Sequence, residues 1–202
     1  MITSESIMSI SKSDLQEASK ALYTEDIPQL VEWLNLKDDN VRYQAFLLLQ
    51  NRSLFCDDVY PYWDTFRSKL RSDNSYQRSI GLMLLSENVK WDEGNRMEDT
   101  IDEFLMLLDD EKPITIRQCI QSLGKIASAK QGLNDKIASR LISFDIIAVK
   151  ETMRKSVLLD ILNVLLVIRQ EHKTDAIENF ILNALSGEVL DKKSKKQIEA
   201  LL

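Results

Sequence analysis

The chain has 202 residues and a formal net charge of −6, which gives it no general attraction to nucleic acid or to an anionic membrane. Apolar residues make up 44% of the sequence, enough to bury a real core, and there are only 5 Gly and 3 Pro. A β-sandwich or a doubly wound sheet uses more turn residues, so the composition favours helices joined by short polar loops. The length fits a single domain over residues 1–202.

The N-terminal segment has neither a cationic start nor a continuous apolar run, which argues against a signal peptide. We expect residues 1–12 to be poorly ordered or only loosely attached to the rest of the domain. Residues 13–22 are expected to form an extra helix that caps the N-terminal end of the fold.

From residue 26 onward the sequence predicts about five pairs of amphipathic helices. The first helix of each pair carries apolar residues at spacings of three and four, which place them on one helical face. These residues are Ile27, Leu30, Val31 and Leu34, then Trp63, Phe66 and Leu70, then Ile101, Phe104, Leu105 and Leu108, then Ile137, Leu141 and Ile142. A fifth pair is predicted from Ile177, Phe180, Ile181 and Leu185, followed by Ile198, Leu201 and Leu202.

The second helices of the first four pairs align without gaps over residues 41–49, 77–85, 116–124 and 154–162. Each aligned segment begins with a cation and continues with small or apolar residues three and six positions later, on one face of a helix. The cations are Arg42, Arg78, Arg117 and Lys155.

The first of these repeats resembles the HEAT-repeat family. Residues 38–42, Asp-Asp-Asn-Val-Arg, are followed by Ala45 and Leu48, which match the family's Asp, Val-Arg, Ala and Leu positions. The later repeats keep part of this pattern, namely Asp73, Arg78 and Gly81 in the second and Ile116 and Arg117 in the third; the fourth is degenerate and the fifth barely recognisable. The resemblance covers residues 25–202 and implies an all-α, HEAT/armadillo-like superhelix, or solenoid, of about five helix pairs.

The recurring cations have two interpretations. In a stacked array each helix pair shares its core with its neighbours. We expect Arg42, Arg78, Arg117 and Lys155 to form a structural ladder, each reaching an Asp or a helix-end carbonyl of the neighbouring repeat. The alternative is a row of anion-binding side chains.

The sequence predicts no catalytic, metal or cofactor-binding site. The single histidine, His172, lies in a polar link, and neither zinc-ligand spacing nor a Gly-rich phosphate loop occurs. The acidic clusters at residues 38–39, 57–58 and 109–111 are expected to cap helices and solvate links, with cation binding or acid–base chemistry as the alternatives. The basic cluster at residues 192–196 is expected to be a solvated capping helix, with an electrostatic binding surface as the alternative.

Cysteine usage and hydropathy predict where the protein works. Cys56 and Cys119 are far apart in sequence, which favours a reduced, cytoplasmic protein over a disulfide-rich secreted one. The most apolar stretch, residues 157–168, contains Asp160 and Asn163 and is shorter than the roughly 20 residues needed to span a bilayer. We therefore expect no membrane association.

Positions one, five and eight after the recurring cation are expected to face away from the core, on the concave side of a HEAT-like solenoid. These positions hold Tyr43, Ser79, Gln118 and Ser156, then Leu47, Met83, Ser122 and Asp160, then Gln50, Ser86, Lys125 and Asn163. Only Lys125 among them is cationic, whereas a nucleic-acid groove needs many cations.

Three of these positions define what we call the apolar patch: Tyr43, Leu47 and Met83. Protein interfaces favour such a mixture, with Tyr and Met enriched, so the patch is a candidate partner-binding site. Trp91, in the polar stretch at residues 86–95, is expected to be exposed and is a fourth candidate. The alternative is that the helix phase is off by one residue and these side chains belong partly to the core.

The sequence therefore predicts a non-enzymatic scaffold that binds a protein or peptide partner on its concave face, without nucleic acid. One alternative, by analogy with some HEAT-like folds, is a DNA-base excision enzyme. That chemistry needs a basic cleft, which the acidic balance disfavours. A second alternative is a subunit of a larger assembly.

Overall fold

The computed structural model describes residues 2–202, and these residues form twelve α-helices and no strand, which confirms the predicted all-α fold. The helices are α1 (Ser4–Met8), α2 (Leu15–Ala21), α3 (Ile27–Trp33), α4 (Asp39–Arg52), α5 (Trp63–Lys69), α6 (Ser75–Asn88), α7 (Arg96–Met106), α8 (Pro113–Ala129), α9 (Asn134–Ile142), α10 (Glu151–Glu171), α11 (Asp175–Ser186) and α12 (Lys192–Glu199). Short 3-10 turns occur at Thr24–Asp26, Tyr60–Tyr62, Val89–Trp91, Leu107–Asp109 and Gln131–Leu133. No helix within these residues combines the length and the apolar content needed to cross a bilayer.

The contacts divide the chain into two compact units where the sequence predicts one domain. The first unit ends at Asn95 and holds α1–α6, and the second is Arg96–Leu202 and holds α7–α12.

The first unit is built from two helix pairs, α3 with α4 and α5 with α6, and α2 packs against α4. The apolar residues predicted for its first helices are buried, and Trp63 and Phe66 of α5 are among the largest fully enclosed side chains. The pair α5–α6 approaches closely at Gly81, where a Cβ atom would lie 2.7 Å from the carbonyl oxygen of Phe66. A larger residue at position 81 would therefore push the two helices of this pair apart.

The N-terminal residues are attached to the fold more firmly than the sequence suggested. Ile7 of α1 is completely buried, the Gln44 side-chain amide donates to the carbonyl of Ile10 (3.1 Å), and the backbone N–H of Ile2 donates to Asp26 (3.0 Å). Residues 2–12 are thus tied to the first helix pair, and Met1 lies outside the described residues. A five-residue helix with one core side chain shows no periodicity, which is why the pattern missed it.

The second unit is organised around α8 and α10, which pack along each other more extensively than any other two helices described. Phe104 of α7, Leu123 of α8 and Leu165 of α10 are all completely buried in its core. In the last pair Ile198 of α12 is also buried, but Leu201 and Leu202, expected to complete this pair, are exposed beyond the end of α12.

Candidate functional site

The apolar patch lies on α4 and α6 of the first unit. Tyr43 is 54% exposed, and its ring packs against that of Phe46, with 6.3 Å between the ring centroids. Leu47 and Met83 are half-buried. Gln50, one turn after Leu47, donates a hydrogen bond to Glu87, one turn after Met83 (3.2 Å), so these faces of the two helices are adjacent.

Of the twelve side chains predicted to face away from the core on the second helices, some are exposed and four are buried. Tyr43, Lys125 and Asn163 are exposed, whereas Ser79, Ser86, Ser122 and Asp160 are buried. The second helices of neighbouring pairs touch each other, α4 with α6 and α8 with α10, and these contacts enclose small or paired polar side chains. The exposed surface of the second helices is therefore narrower than the sequence pattern predicts.

Trp91 is half-buried, in contrast to the expected exposure. Its indole N–H donates to the carbonyl of Ser53 (2.9 Å), and the Lys90 ammonium lies 5.0 Å from the ring centroid. Buried tryptophan N–H groups usually find such an acceptor. The two contacts therefore anchor Trp91 within the first unit.

The recurring cations do not form the uniform inter-repeat ladder that the sequence predicts. Arg42 donates to the carbonyl of Leu36 (2.8 Å) and pairs with Asp39, and Arg78 donates to the carbonyls of Ser72 (2.8 Å) and Asp73 (3.0 Å). Both arginines thus bind the link that precedes their own helix, where exposed carbonyls follow the end of the first helix.

The last two cations reach the next repeat, as predicted. Arg117 of α8 pairs with Asp160 of α10 (2.6 Å), a contact that raises the pKa of Arg117, and Lys155 pairs with Asp191 (2.6 Å). In the fourth repeat Arg154 takes the role that Arg42 and Arg78 have, since it donates to the carbonyls of Ile147 (2.9 Å) and Val149 (3.0 Å).

A one-residue difference in helix register explains why Arg154, and not Lys155, binds the preceding link in the fourth repeat. Arg42 and Arg78 are four residues after the N-caps Asp38 and Asn74, and Arg154 is four residues after the N-cap Lys150. The aligned Lys155 is five residues after that N-cap, and Arg117 is likewise five after Lys112. The gapless alignment therefore placed the structural cation of the fourth repeat one residue late.

The acidic cluster at residues 38–39 caps a helix, as expected, whereas two other acidic clusters supply carboxylates to ion pairs that the sequence did not predict. Asp38 accepts hydrogen bonds from the backbone N–H groups of Asn40 (2.9 Å) and Val41 (3.2 Å) at the start of α4. Asp58 pairs with Arg52 (2.8 Å). Throughout residues 2–202, no three His, Cys, Asp or Glu side chains are grouped so that they could hold a metal ion.

The single histidine and the two cysteines lie in different surroundings. His172 pairs with Asp135 (2.8 Å) on the surface, and both Cys56 and Cys119 are free thiols. Cys119 is completely enclosed, its Sγ lies 3.3 Å from the carbonyl oxygen of Phe104, and burial raises the pKa of this thiol. A raised pKa leaves little thiolate, the form that acts as a nucleophile.

The sequence pattern missed a buried lysine, Lys69 of α5, which is only 7% exposed. It borders a surface cavity of about 410 Å³ in the first unit. The signal was present in the sequence: Lys69 follows Phe66 by three residues and so lies on the apolar face of α5, where a lysine is unusual.

Comparisons with known proteins find a similar fold but no protein that is related by sequence. No family model matches the chain, and no curated protein matches it either. Among solved structures, the chain is similar to the crystal structure of an engineered protein at 16% sequence identity and a TM-score of 0.54, with 100% of this chain and 96% of that chain covered. The likeness at this identity concerns the helical fold alone.

Proposed function

We propose that the chain is a HEAT/armadillo-like α-solenoid of about five helix pairs that acts in the cytoplasm as a non-enzymatic scaffold and binds a protein or peptide partner on its concave face. In the first unit consecutive helices pack as pairs, α3 with α4 and α5 with α6, which is the building principle of helical repeats. In the second unit α8 packs against the 3-10 turn that continues α7, and α9 packs against α10. The repeated bond from Arg42, Arg78 and Arg154 to the preceding link supports a common repeat unit.

The apolar patch is the observation that carries the binding function. Tyr43 exposes more than half of its surface beside two half-buried apolar side chains on adjacent helices. Apolar surface left in contact with water often marks an interaction site, and tyrosine is a frequent anchor of protein interfaces. The half-buried amide of Gln50, one turn after Leu47, would contribute to the polar rim that such interfaces have.

The proposal is tested by charge substitution in the patch. Wild type, Tyr43→Ala and the double variant Leu47→Glu with Met83→Glu are used as immobilised bait in lysate of the source organism. Captured proteins are identified by mass spectrometry, and the circular dichroism melting curve of each bait is recorded. We expect both patch variants to lose the same specific partner while helicity and melting temperature barely change.

A matched control carries the same charge change outside the patch. Leu54→Glu with Met106→Glu replaces an exposed leucine and an exposed methionine, and it should capture the partner as wild type does. A large drop in melting temperature for the patch double variant would mean that Leu47 and Met83 belong to the core. In that case Tyr43→Ala, at an exposed position, decides the question. Unchanged capture by Tyr43→Ala and by a stably folded double variant would refute the proposal.

A further inference from the structure

Lys69 is a buried ammonium group without an acidic partner. Its Nζ donates to Oδ1 of Asn35 (2.6 Å) and to Oε1 of Gln77 (2.5 Å), both of which are uncharged amide oxygens. A lysine ammonium has three N–H donors, and the third meets no acceptor among residues 2–202. One donor and a full positive charge are therefore left for a ligand or solvent.

The two amide groups hold the ammonium in place. The Nε2 group of Gln77 donates to the carbonyl of Leu34 (2.7 Å), which orients Oε1 of the same side chain toward Lys69. Asn35 is the residue after Leu34, in the link between α3 and α4. Through its bonds to Asn35 and Gln77, Lys69 of α5 therefore joins the end of α3 to α6. Removal from water and the positive charge of Arg42 lower the pKa of Lys69 to about 8.

The cavity beside Lys69 collects positive charge although the chain as a whole is acidic. Its walls include three cations, Lys37, Arg42 and Lys69, and no carboxylate. The remaining lining residues are polar except for one leucine, namely Asn35, Leu36, Ser68, Ser72, Asn74 and Gln77. Lys37 is exposed and makes no ion pair within residues 2–202, and Arg42 pairs with Asp39, whose side chain is largely in solvent.

We propose that this cavity binds a phosphate-type oxyanion, with Lys69 as the buried contact and Lys37 and Arg42 as the outer contacts. A phosphate group presents several acceptor oxygens and a negative charge of between one and two, which complement the unpaired N–H and the excess of cations. The group is either free phosphate or the phosphate of a modified side chain in a peptide. Arg42 of this cavity is next in sequence to Tyr43 of the apolar patch. Phosphate binding in the cavity does not depend on whether the patch binds a partner.

The binding test uses inorganic phosphate and the full chain. Phosphate is titrated against chloride at constant ionic strength and pH 7, and the heat of binding is measured by calorimetry for wild type and every variant. In wild type the Lys69 side-chain signal is also followed by NMR as a function of pH, with and without phosphate. We expect saturable binding and an upward shift of the pKa of Lys69 from about 8, because a bound anion favours the charged form. Lys69→Met should weaken binding at least about tenfold, as expected for the loss of a charge-assisted hydrogen bond.

The control variants separate the cavity from general charge effects. Lys37→Gln removes an exposed cation of the cavity that makes no ion pair within residues 2–202, and it should weaken binding roughly two- to fivefold. Lys12→Gln makes the same charge change on an exposed residue outside the cavity and should bind phosphate as wild type does. If Lys69→Met fails to fold, the comparison of Lys37→Gln with Lys12→Gln still decides. Absence of saturable binding, or equal affinity in all variants, would overturn the proposal.

The source of the phosphate group is determined with a blocked tripeptide, Gly-phosphoserine-Gly, and its unmodified serine form. Binding of the phosphorylated form alone, weakened roughly two- to fivefold by Lys37→Gln, would support a site for modified peptides. Binding of inorganic phosphate with exclusion of both peptides would support a site for the free anion. If both peptide forms bind equally, phosphate recognition at this cavity is refuted.

Discussion

Arg52 shows how the first unit accommodates a buried charge. It is 8% exposed, and its Nε and Nη2 groups donate to the carboxylate of Asp58, with the closest contact at 2.8 Å. Its Nη1 group donates to the carbonyls of Ser19 (3.2 Å) and Lys20 (3.0 Å) near the end of α2. The hydrogen bond to Asp58 raises the pKa of Arg52. One guanidinium therefore joins α2, α4 and the link before α5.

We predict that Asp58→Ala destabilises the chain by about 3 kcal/mol, because removing one partner leaves the other charge buried and uncompensated. The free energy of unfolding is measured by urea denaturation. Asp57→Ala, at the exposed neighbouring position, should change stability by no more than about 0.5 kcal/mol. Equal effects of the two substitutions would show that the Arg52–Asp58 pair adds nothing to stability.

Lys69 gives a second prediction at the residue scale, with a defined direction in pH. Its pKa falls from 10.5 to about 8 on folding, so between these values the folded chain has lost the proton that the unfolded chain still binds. Stability must therefore rise with pH in this window, whereas the full cost of burying the charge is present below pH 8. At about 1.4 kcal/mol for each pKa unit, the difference between 10.5 and about 8 sets an upper bound of roughly 3.5 kcal/mol. Solvent screening at the open side of the cavity lowers the expected rise to roughly 2 to 3 kcal/mol.

The measurement is the difference in unfolding free energy between wild type and Lys69→Met from pH 7 to 10.5, because other groups titrate in both proteins. We expect wild type to gain stability relative to the variant as pH increases. Lys37→Met, at an exposed position of the same cavity, should follow the wild-type slope. Parallel curves for wild type and Lys69→Met would contradict the lowered pKa.

At the scale of helices, the sequence pattern is informative where apolar spacing is long and regular. It located α3, α5 and α7 through residues that are indeed buried, and it located α4 through the N-cap Asp38 and the Val41–Arg42 pair. It missed α1, whose five residues contain one core side chain. It also misplaced the fourth structural cation, because a gapless alignment does not show that Lys155 lies one residue farther from its N-cap than Arg42 does.

The candidate surface was harder to predict than the helices. Periodicity identifies the face of a helix that points toward its own partner helix, but it contains nothing about the next pair along the chain. Ser122 and Asp160 are buried because α8 and α10 pack along each other, and Trp91 is anchored by a carbonyl 38 residues earlier. Such long-range contacts decide exposure and have no signature in local spacing.

Leu123 provides the test of the helix packing in the second unit. It is completely buried in α8, so Leu123→Asp would place an unpaired carboxylate in the core and should cost more than about 4 kcal/mol. Most of the helical signal of the second unit should be lost in a thermal scan. Lys125→Asp, two residues later on the exposed side of the same helix, serves as the control. A wild-type melting curve for Leu123→Asp would disprove the assigned register.

Truncation tests how far the stability of the helix pairs is additive. Removal of residues 174–202 deletes α11 and α12 and uncovers the side of α9 and α10 that they contact. In a repeat array stability is roughly a sum over neighbouring units, so we expect this deletion to lower the melting temperature less than Leu123→Asp does. A loss of helicity as complete as that of Leu123→Asp would instead indicate one all-or-none folding unit.

At the scale of the whole molecule, charge decides which class of partner is compatible with the surface. The chain carries 26 Lys and Arg against 32 Asp and Glu. Several arginines are already engaged in the structure, Arg42, Arg78 and Arg154 by backbone carbonyls and Arg117 by Asp160. The cavity at Lys69 is a local exception, since Arg42 meets two lysines there, Lys37 and Lys69, that pair with no carboxylate of residues 2–202. One such cavity suits a single phosphate group and falls short of the continuous basic surface that a nucleic-acid backbone requires.

We therefore predict that duplex DNA binds only weakly, with a dissociation constant no tighter than roughly 10⁻⁶ M at physiological salt. Each phosphate that a protein cation neutralises contributes about 0.9 to the slope of log affinity against log salt concentration. If DNA contacts only the three cations of the cavity, the slope should therefore be no steeper than about 3. Fluorescence anisotropy with a labelled duplex of random sequence, repeated at several salt concentrations, measures both quantities. Lys37→Gln should reduce the slope by about one if the cavity is where DNA makes contact, and Lys12→Gln should not. A sub-micromolar complex with a much steeper slope would require a basic surface elsewhere, would contradict the protein-scaffold proposal and would favour a DNA-processing function.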